Sequence, residues 1–492
     1  MTWRDALRGL ALANILLIRS WFLAGTYAYF AAGLPVTRAR AGLIALWLVL
    51  AAALAALSAW SRSGRWPLRI TAWTVALLLI VPFDWVLRQG TGMLLPLVTE
   101  PAGAILAVVA LALLSREVVQ KLLVQGLPIV LAPLILVTVT YAALPLFARP
   151  AVASPFRQDA RETLQDGARV LWLLFDELDF RMLAGERPDA PALPAFTRLM
   201  SEAFVATHAT SPATDTLFAI PAIFTGRRVL TASPSGRELM LGFENGAGPW
   251  SGEASMFTRV RARGFWTGII GWYHAYCDAL PGQFDACRWV PFQPERHQAA
   301  SLLGAMRNQA QVAVGGFSLF LRNNIEDAFV SRAQLERGRL DHADAWRVVD
   351  ESAKALARTQ PPGLAFIHYP VPHAPEILDL VSPAEGKWTG YFGNAVVADR
   401  TLAGLRAELE ASGRWEDTVV VVTADHAWRT AGFRDNRVPL IVKFAGASTH
   451  AQYEAGVSLL VLHDLLPRLV TREIRSPAEL ATYLASHPRG PQ

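Results

Sequence analysis

Five long apolar runs in the first third of the chain restrict its possible folds more than any other feature. Each run is close to the ~20 residues that a helix needs to cross a bilayer. They lie at residues 10–33, 42–60, 70–87, 93–114 and 122–147. A mean hydropathy of +0.28, with 52% hydrophobic residues, is too apolar for a wholly soluble chain of 492 residues. The sequence therefore predicts an N-terminal transmembrane domain, residues 1–147, with about five helical spans.

Basic residues beside the runs predict the orientation of these spans. If the N-terminus is cytoplasmic, the inner segments hold seven Arg or Lys residues and the outer loops hold three, as the positive-inside rule requires. The inner set is Arg4, Arg8, Arg62, Arg65, Arg69, Arg116 and Lys121, and the outer set is Arg38, Arg40 and Arg88. We therefore expect a multi-pass plasma membrane protein, in a bacterium an inner membrane protein, whose residues after 147 lie outside the cytoplasm, in the periplasm or its equivalent.

Charge and cysteine content exclude some functions and support this topology. The net charge of +5 is small and its basic residues form no cluster mixed with aromatic residues, so no nucleic-acid partner is predicted. Cys277 and Cys287 are the two cysteines. In an oxidising compartment such a close pair predicts a local disulfide, and two unrelated buried thiols are the alternative. The oligomeric state cannot be predicted from this sequence.

Residues 148–167 are polar and rich in proline and charge, which is typical of a linker. Beyond them, four short apolar runs of strand length alternate with helical patterns. The predicted strands are 170–175, 264–271, 363–368 and 418–424, and the main predicted helices are 193–204, 341–357 and 394–412. Strands alternating with helices indicate an α/β/α sandwich with a mostly parallel sheet. Residues 168–492 are therefore predicted to form one extracytoplasmic catalytic domain.

Polar residues recur where the predicted strands end. They are Asp176 and Glu177 after the first strand, His274 after the second, His368 and His373 at and after the third, and Asp425 and His426 after the fourth. The carboxyl ends of parallel strands converge on one crevice. Alone, each carboxylate is more simply a helix cap and each histidine a structural residue. Together, carboxylates and imidazoles around a hydroxyl nucleophile suit a divalent metal ion.

The stretch 211–228, SPATDTLFAIPAIFTGRR, supplies such a hydroxyl. Thr214, Asp215 and Thr216 are good N-cap residues before an apolar run, and Thr225-Gly226 predicts the end of the helix. A nucleophile at a helix start benefits from free N–H groups and the helix dipole. An ordinary capped helix is the simpler interpretation of this stretch by itself. We identify Thr216 as the candidate nucleophile, in an exposed cap position, and Thr214 as its rival.

With these residues in view, positions 168–450 resemble the alkaline-phosphatase superfamily, in particular its membrane-anchored, sulfatase-like branch of phosphoethanolamine transferases and lipoteichoic acid synthases. In the transferases the nucleophilic Thr precedes a Pro by five positions, as Thr216 precedes Pro221. In sulfatases the nucleophile precedes Thr-Gly-Arg by nine positions, and Thr225-Gly226-Arg227 again points to Thr216.

The resemblance also assigns the metal and substrate residues. Asp176-Glu177 is similar to the family's acidic metal-binding turn, and Asp425-His426 to its Asp-His pair. The segment FIHYPVPHAP resembles the family's Pro-His-x-Pro segment and makes His373 a catalytic residue, with His274 as the second. The expected metal set is Asp176, Glu177, Thr216, Asp425 and His426. The expected substrate contacts are Thr214, His368 and Arg437.

Three departures from the family pattern limit the activity. Formylglycine sulfatases need Cys or Ser at the nucleophile position, with Pro two and Arg four residues later, but this chain has Thr216, Phe218 and Ile220. Trp272 replaces the Lys that contacts the substrate anion, and the further His after Asp425-His426 is missing. Arginines in the same region, Arg437 among them, could supply the positive charge.

The resemblance implies a two-step transfer through a covalent phospho-threonine. The expected donor is a membrane phospholipid, and the expected acceptor is an envelope glycan or lipid. One divalent ion is expected, with zinc or manganese favoured over magnesium or calcium by the mixed oxygen and nitrogen ligands. Two alternatives stay open, a phosphoester or sulfuric ester hydrolase and a catalytically inactive membrane protein that keeps the fold.

Overall fold

The computed structural model describes most of the chain. The described ranges are 1–21, 29, 36–91, 114–136, 157–158, 162–187, 189–235, 238–292, 301–314, 332–382, 388–429, 435–446 and 449–487. The contacts divide the chain into two compact units. The first comprises Met1–Ala28, Gly33–Pro150 and Gln293–Glu336, and the second comprises Tyr29–Ala32, Ala151–Phe292 and Arg337–Gln492. Residues 293–336, which we assigned by sequence to the catalytic domain, are thus grouped with the first unit.

The described part of the first unit is helical. Its α-helices are Trp3–Leu16, Val36–Trp60, Arg65–Thr91, Glu117–Lys121, Leu127–Leu131 and Leu302–Val314, with a 3-10 turn at Ser61–Ser63 and a π-helical turn at Leu122–Gly126. Asp5 is buried near the start of the first helix, where its side chain accepts a hydrogen bond from the backbone N–H of the N-cap residue, Thr2, and pairs with Arg62. The Arg62 Nη2 to Asp5 Oδ2 distance is 2.8 Å. This pair joins the first helix to the end of the second.

Among the described residues, one helical segment, Arg40–Ser63, is long and apolar enough to cross a membrane. The predicted spans 10–33, 93–114 and 122–147 lie partly outside the described residues. The helix Arg65–Thr91 contains the predicted span 70–87, which also lies partly among residues whose side chains are not described. The structure therefore supports one membrane helix by length and composition, and the five-span bundle stays a prediction.

The second unit is built on a nine-stranded sheet in the order β1-β9-β8-β10-β2-β11-β12-β3-β13. Its centre, from β9 to β11, is parallel, and β12 runs antiparallel to both of its neighbours. The strands are β1 Arg157–Gln158, β2 Arg169–Phe175, β3 Phe204–Ala206, β4 Ala209–Thr210, β5 Thr231–Ser235, β6 Glu238–Phe243, β7 Gly246–Pro249, β8 Trp266–Tyr273, β9 Ala286–Pro291, β10 Gly363–Tyr369, β11 Thr418–Thr423, β12 Leu440–Lys443, β13 Ala451–Tyr453 and β14 Val457–Ser458. Strands β5 to β7 form a separate antiparallel sheet, and β4 pairs with β14.

Every residue of β10 and β11 is buried, as is typical of parallel strands covered on both faces. The α-helices that lie wholly or mainly in this unit are Phe180–Leu183, Pro194–Ser201, Thr216–Thr225, Met256–Ala262, Tyr276–Ala279, Arg332–Thr359, Leu378–Val381, Gly390–Ala411, Leu462–Val470 and Pro477–Ser486. Short 3-10 turns lie at Trp250–Gly252 and Leu459–Val461. The predicted α/β fold with a mostly parallel sheet is confirmed for this part of the chain.

Register between the central strands aligns their carboxyl ends. Leu174 of β2 pairs with His368 of β10 on one side and with Thr423 of β11 on the other. The residues that follow β2 and β11, Asp176 and Asp425, therefore emerge at the same edge of the sheet. The four strands predicted from apolar runs agree with β2, β8, β10 and β11 to within two residues at each end.

Candidate active site

Thr216 lies at the first position of the helix Thr216–Thr225, with Asp215 as the N-cap. The Asp215 side chain accepts a hydrogen bond from the Phe218 N–H at 3.3 Å. Thr216 is only 3% exposed. The helix lies where the sequence predicts it, but Thr216 is buried and does not cap the helix, so our prediction of an exposed cap residue is wrong.

The other end of this helix is fixed by Thr225, Gly226 and Arg227. The Thr225 hydroxyl donates to the Pro221 carbonyl at 2.7 Å. Gly226 adopts the left-handed conformation, with φ of 68°, that commonly ends helices. The Arg227 guanidinium lies 3.8 Å from the Phe243 ring centroid and 2.9 Å from Glu253 Oε2. Each residue of the motif thus fixes the helix that presents Thr216.

Three fully buried side chains, Asp176, Asp425 and His426, form a group that could hold a metal ion. Their ligand atoms all lie within 4.8 Å of one another. The Thr216 hydroxyl donates to Asp425 Oδ2 at 2.6 Å and lies 3.5 Å from Asp176 Oδ2. The structure therefore brings together four of the five residues that we predicted as metal ligands.

The donor atoms of this group fit a divalent cation. Asp176 Oδ1 and His426 Nε2 are buried and make no hydrogen bond to the described residues, and His426 Nε2 lies 3.4 Å from Asp425 Oδ2. His426 Nδ1 lies 3.0 Å from the Ala427 carbonyl, so it must carry the proton, and the lone pair is on Nε2. An imidazole oriented in this way is typical of metal-binding histidines. Two carboxylates and one imidazole nitrogen suit a divalent metal ion, and the choice of zinc or manganese stays a prediction.

Electrostatics at the group favour a positive charge. Burial lowers the pKa of His426, but the charges of Asp425, Asp176 and Glu177 outweigh burial and raise this pKa above its usual value. Burial raises the pKa of Asp176, but the charge of His373 and the hydrogen bond from His368 outweigh it and lower the pKa to about 2. Asp176 is therefore ionised at neutral pH.

Glu177 contacts the site through its backbone. Its N–H donates to Asp425 Oδ1 at 3.0 Å, and its carbonyl accepts from the Tyr391 hydroxyl at 2.7 Å. These bonds hold Glu177 in a left-handed conformation, φ 65°, that is uncommon for residues other than glycine. Its Oε1 accepts from Arg429 Nη2 at 3.1 Å. The side chain of Glu177 is thus paired with a half-exposed arginine, and its expected role as a metal ligand stays a prediction.

His274 contacts the backbone at the start of the helix that carries Thr216. Its Nε2 is 3.2 Å from the Thr216 carbonyl oxygen, and its Nδ1 is 3.0 Å from the Tyr29 hydroxyl. Burial lowers the pKa of His274 to about 3, so the ring is neutral at pH 7. A neutral ring that donates to a backbone carbonyl orients Thr216. This geometry supports a positioning role for His274, and its expected catalytic role stays a prediction.

His368 also faces inward. It is fully buried, and its Nε2 lies 3.2 Å from Asp176 Oδ2. The geometry therefore supports the orientation of Asp176 by His368 instead of the substrate contact that we predicted.

His373 lies on the loop after β10, where its N–H donates to the Asp176 carbonyl at 3.1 Å. Its half-buried ring is 5.4 Å from the ring of Trp272, centroid to centroid. Trp272, which takes the place of the family's lysine, thus packs beside the catalytic loop.

Two predicted substrate residues lie away from the metal group. Thr214 is exposed on the loop before the helix. Arg437 donates to Glu186 Oε2 at 2.6 Å and to Asp435 Oδ2 at 2.8 Å. Because both carboxylates already bind its guanidinium, Arg437 is not a free anion-binding group. Arg429, in contrast, donates to the Glu177 carboxylate beside the metal group.

Several positioning residues were not identified from the sequence. Asn436 accepts from the Ala427 N–H at 3.0 Å and donates to the Ala213 carbonyl at 2.8 Å, which ties the Asp425-His426 loop to the nucleophile loop. Asn394 donates to the His373 carbonyl at 2.7 Å. Neither residue belongs to a motif, and only the fold places it at the site.

Comparison with known proteins supports this description. The family model described as Sulfatase matches residues 168–471, which is more than half of the 492 residues. No curated protein matches the chain. The resemblance to the alkaline-phosphatase superfamily is thereby confirmed at the level of this family, while the membrane-anchored branch stays a prediction.

The chain is also similar, at low identity, to several solved structures. The PsFucS1 sulfatase from Pseudoalteromonas sp. is 17% identical, with a TM-score of 0.44, over 63% of this chain and 69% of that chain. A phosphonate monoester hydrolase of Agrobacterium radiobacter is 12% identical, with a TM-score of 0.37, over 60% and 72%. An alkaline phosphatase superfamily protein from Vibrio parahaemolyticus is 17% identical, with a TM-score of 0.36, over 66% and 71%. Likenesses this distant carry no argument about what the chain acts on.

Proposed function

Because this chain belongs to the sulfatase family, we propose that it is a metal-dependent enzyme that takes a phospho group from an ester onto Thr216 and passes it to an acceptor. One observation carries the proposal. The Thr216 hydroxyl lies at a helix start, 2.6 Å from Asp425 Oδ2. It lies beside the buried group of Asp176, Asp425 and His426, in which two potential ligand atoms make no hydrogen bond to the described residues. A formylglycine mechanism is excluded by chemistry, since Thr216 is neither Cys nor Ser.

The first step forms one bond and breaks one. Thr216 Oγ1 attacks phosphorus, the bond from phosphorus to the leaving oxygen breaks, and the hydroxyl proton passes to Asp425 Oδ2, which already accepts its hydrogen bond. The leaving oxygen takes a proton from His373 or from solvent. A divalent ion held by Asp176, Asp425 and His426 would lower the pKa of the Thr216 hydroxyl and neutralise charge on the phosphate. Backbone N–H groups at the helix start favour the same negative charge.

The second step reverses the first with a different oxygen. An acceptor hydroxyl attacks the phospho-threonine, its proton passes to His373 or solvent, and Thr216 Oγ1 leaves and recovers its proton from Asp425. His274 holds the Thr216 carbonyl in both steps. Whether the acceptor is an alcohol or water distinguishes a transferase from a hydrolase.

A phospholipid donor and an envelope glycan or lipid acceptor suit a site that is attached to a membrane. The helix Arg40–Ser63 and the apolar runs around it support such attachment. In this proposal about five spans anchor the chain in the plasma membrane, and the second unit lies outside the cytoplasm. Hydrolysis of an ester by water is the second candidate, because the matching family model is that of sulfatases.

The test uses the full chain in detergent with Mn²⁺ and a phospholipid that carries a radiolabelled phospho-headgroup. The wild type should acquire covalent label, Thr216→Ala should not, and Thr216→Ser should retain measurable turnover because it keeps the hydroxyl. Thr214→Ala is the matched control, since Thr214 is exposed two residues away, and it should label normally.

The product separates the candidate functions. Label in an added glycan or lipid indicates a transferase, and free labelled headgroup indicates a hydrolase. Covalent label that persists in Thr216→Ala would contradict the assignment of the nucleophile. The absence of label, transfer and release in the wild type would favour the inactive alternative.

A further inference from the structure

The buried phenol of Tyr276 lies behind the metal group. Its hydroxyl is 2.8 Å from His368 Nδ1, and His368 Nε2 is 3.2 Å from Asp176 Oδ2. All three side chains are fully buried. They form a continuous line of hydrogen bonds that ends on a predicted metal ligand.

The acceptor at the end of this line fixes the direction of both bonds. The Asp176 carboxylate can only accept, so His368 must carry its proton on Nε2. His368 Nδ1 then holds a lone pair and accepts from the Tyr276 hydroxyl. Burial raises the pKa of Tyr276 well above its usual value, which keeps the phenol protonated as this direction requires.

The line also decides which oxygen of Asp176 is free. Asp176 Oδ2 accepts from His368 and lies 3.5 Å from the Thr216 hydroxyl. Asp176 Oδ1 is buried and has no partner among the described residues. Held at Oδ2, the carboxylate cannot rotate without breaking the bond to His368, so Oδ1 stays directed to where a cation would bind.

Packing holds Tyr276 tightly in place. A Cβ added at Gly271 of β8 would lie 2.3 Å from Tyr276 Cε2, so the ring rests directly against the strand backbone. The Phe224 ring of the helix Thr216–Thr225 stacks on the Tyr276 ring, with centroids 5.9 Å apart. The following residue, Cys277, forms a disulfide with Cys287 of β9, as the sequence predicts. The phenol therefore has little freedom to move away from His368.

From this geometry we infer that Tyr276 is a positioning residue for the metal centre, acting through His368 to orient the Asp176 carboxylate. This inference rests on the proposed metal-dependent function. Partners that hydrogen-bond directly to a metal ligand, as His368 does to Asp176, typically contribute 10- to 100-fold to metal affinity. Tyr276 lies one hydrogen bond further away, so we expect its contribution at the lower end of that range.

The test measures binding of Mn²⁺ to the full chain in detergent, with electron paramagnetic resonance to follow the free ion. Tyr276→Phe removes one hydroxyl and keeps the ring, and it should raise the Mn²⁺ dissociation constant ~10-fold. His368→Leu removes the direct partner of Asp176 and should raise it ~10- to 100-fold. His368→Gln keeps an N–H donor near Nε2, so it should restore part of the affinity.

Tyr369→Phe is the matched control. Tyr369 is the residue after His368, is equally buried, and its hydroxyl has no hydrogen-bond partner among the described residues. This variant should bind Mn²⁺ within about threefold of the wild type, a factor worth less than 1 kcal/mol. The melting temperature in chelator should fall little in either Tyr variant, whereas the Mn²⁺-induced rise in melting temperature should shrink only in Tyr276→Phe.

The outcomes separate this inference from the function on which it rests. If the wild type binds Mn²⁺ and Tyr276→Phe binds it as tightly as Tyr369→Phe does, the positioning role is refuted while the proposed function stands. An equal loss of affinity in both Tyr variants would also refute it, because the effect would then be general packing. If the wild type binds no divalent ion, the metal-dependent function fails first.

Discussion

Replacing Gly226 with Ala should destabilise the second unit by about 2–5 kcal/mol. Two effects add at this position. Gly226 has φ of 68°, a left-handed conformation that costs a residue with a Cβ about 1–2 kcal/mol. The new Cβ would also lie 2.7 Å from His463 Cβ and 2.8 Å from His463 Cγ, closer than such atoms pack. Relief of that overlap needs a backbone shift, which typically costs about 1–3 kcal/mol.

Gly413→Ala isolates the first effect. Gly413 follows the helix Gly390–Ala411, has φ of 66°, and a Cβ there would meet nothing within 4 Å. It should cost only about 1–2 kcal/mol. Hydrogen exchange of the β2 and β10 amides in the full chain gives the free energy of opening of the second unit for both variants. Costs that agree within about 0.5 kcal/mol would refute the overlap with His463, because the overlap by itself should add about 1–3 kcal/mol.

Three further predictions concern other parts of the chain. Burial raises the pKa of Asp464, but hydrogen bonds from Arg468, Arg259 and Tyr483 outweigh it and lower the pKa to about 2. A carboxyl group whose pKa is lowered by folding stabilises the fold at pH values above its unfolded pKa. Asp464→Asn should therefore destabilise the fold at pH 7, by no more than about 2 kcal/mol at this partly exposed site. The loss should shrink as pH falls from 4 towards 2, and urea unfolding at each pH measures it. Cys277 and Cys287 should resist alkylation until reductant is added, and two thiols that react without reductant would contradict the disulfide. A reporter fused after Gln492 should be active only if it is a type that works outside the cytoplasm, and activity of a cytoplasmic type would overturn the five-span topology.

The central strands could be predicted because parallel strands covered on both faces appear as unbroken apolar runs. The run VLWLLF and its end at Asp176 agree with β2, and TVVVVT followed by Asp425 agrees with β11. The short strands β3 and β13 at one end of the sheet are three residues long and have no such signal. The grouping of residues 293–336 with the first unit depends on distant contacts that no local pattern records.

Side-chain directions at the site were the main part that the sequence could not provide. The sequence placed His368 at the end of a strand. In the structure β10 continues to Tyr369, and the His368 side chain contacts Asp176. Glu177 has a positive φ that no propensity predicts, and its carboxylate pairs with Arg429. Sequence spacing identified the residues that come together, whereas backbone conformation determined which atoms meet.

Thr225, Gly226 and Arg227 hold the end of the helix that carries Thr216. This role determines what a Thr-Gly-Arg motif indicates when it is found in another sequence. Nine residues of helix separate Thr225 from Thr216, about 14 Å at 1.5 Å per residue, and the contacts of the triplet are with Pro221, His463, Glu253 and Phe243. None of these is a reacting group. A Thr-Gly-Arg match in an unknown sequence therefore reports that the architecture is present, while the residue nine positions earlier reports which reaction that architecture can perform.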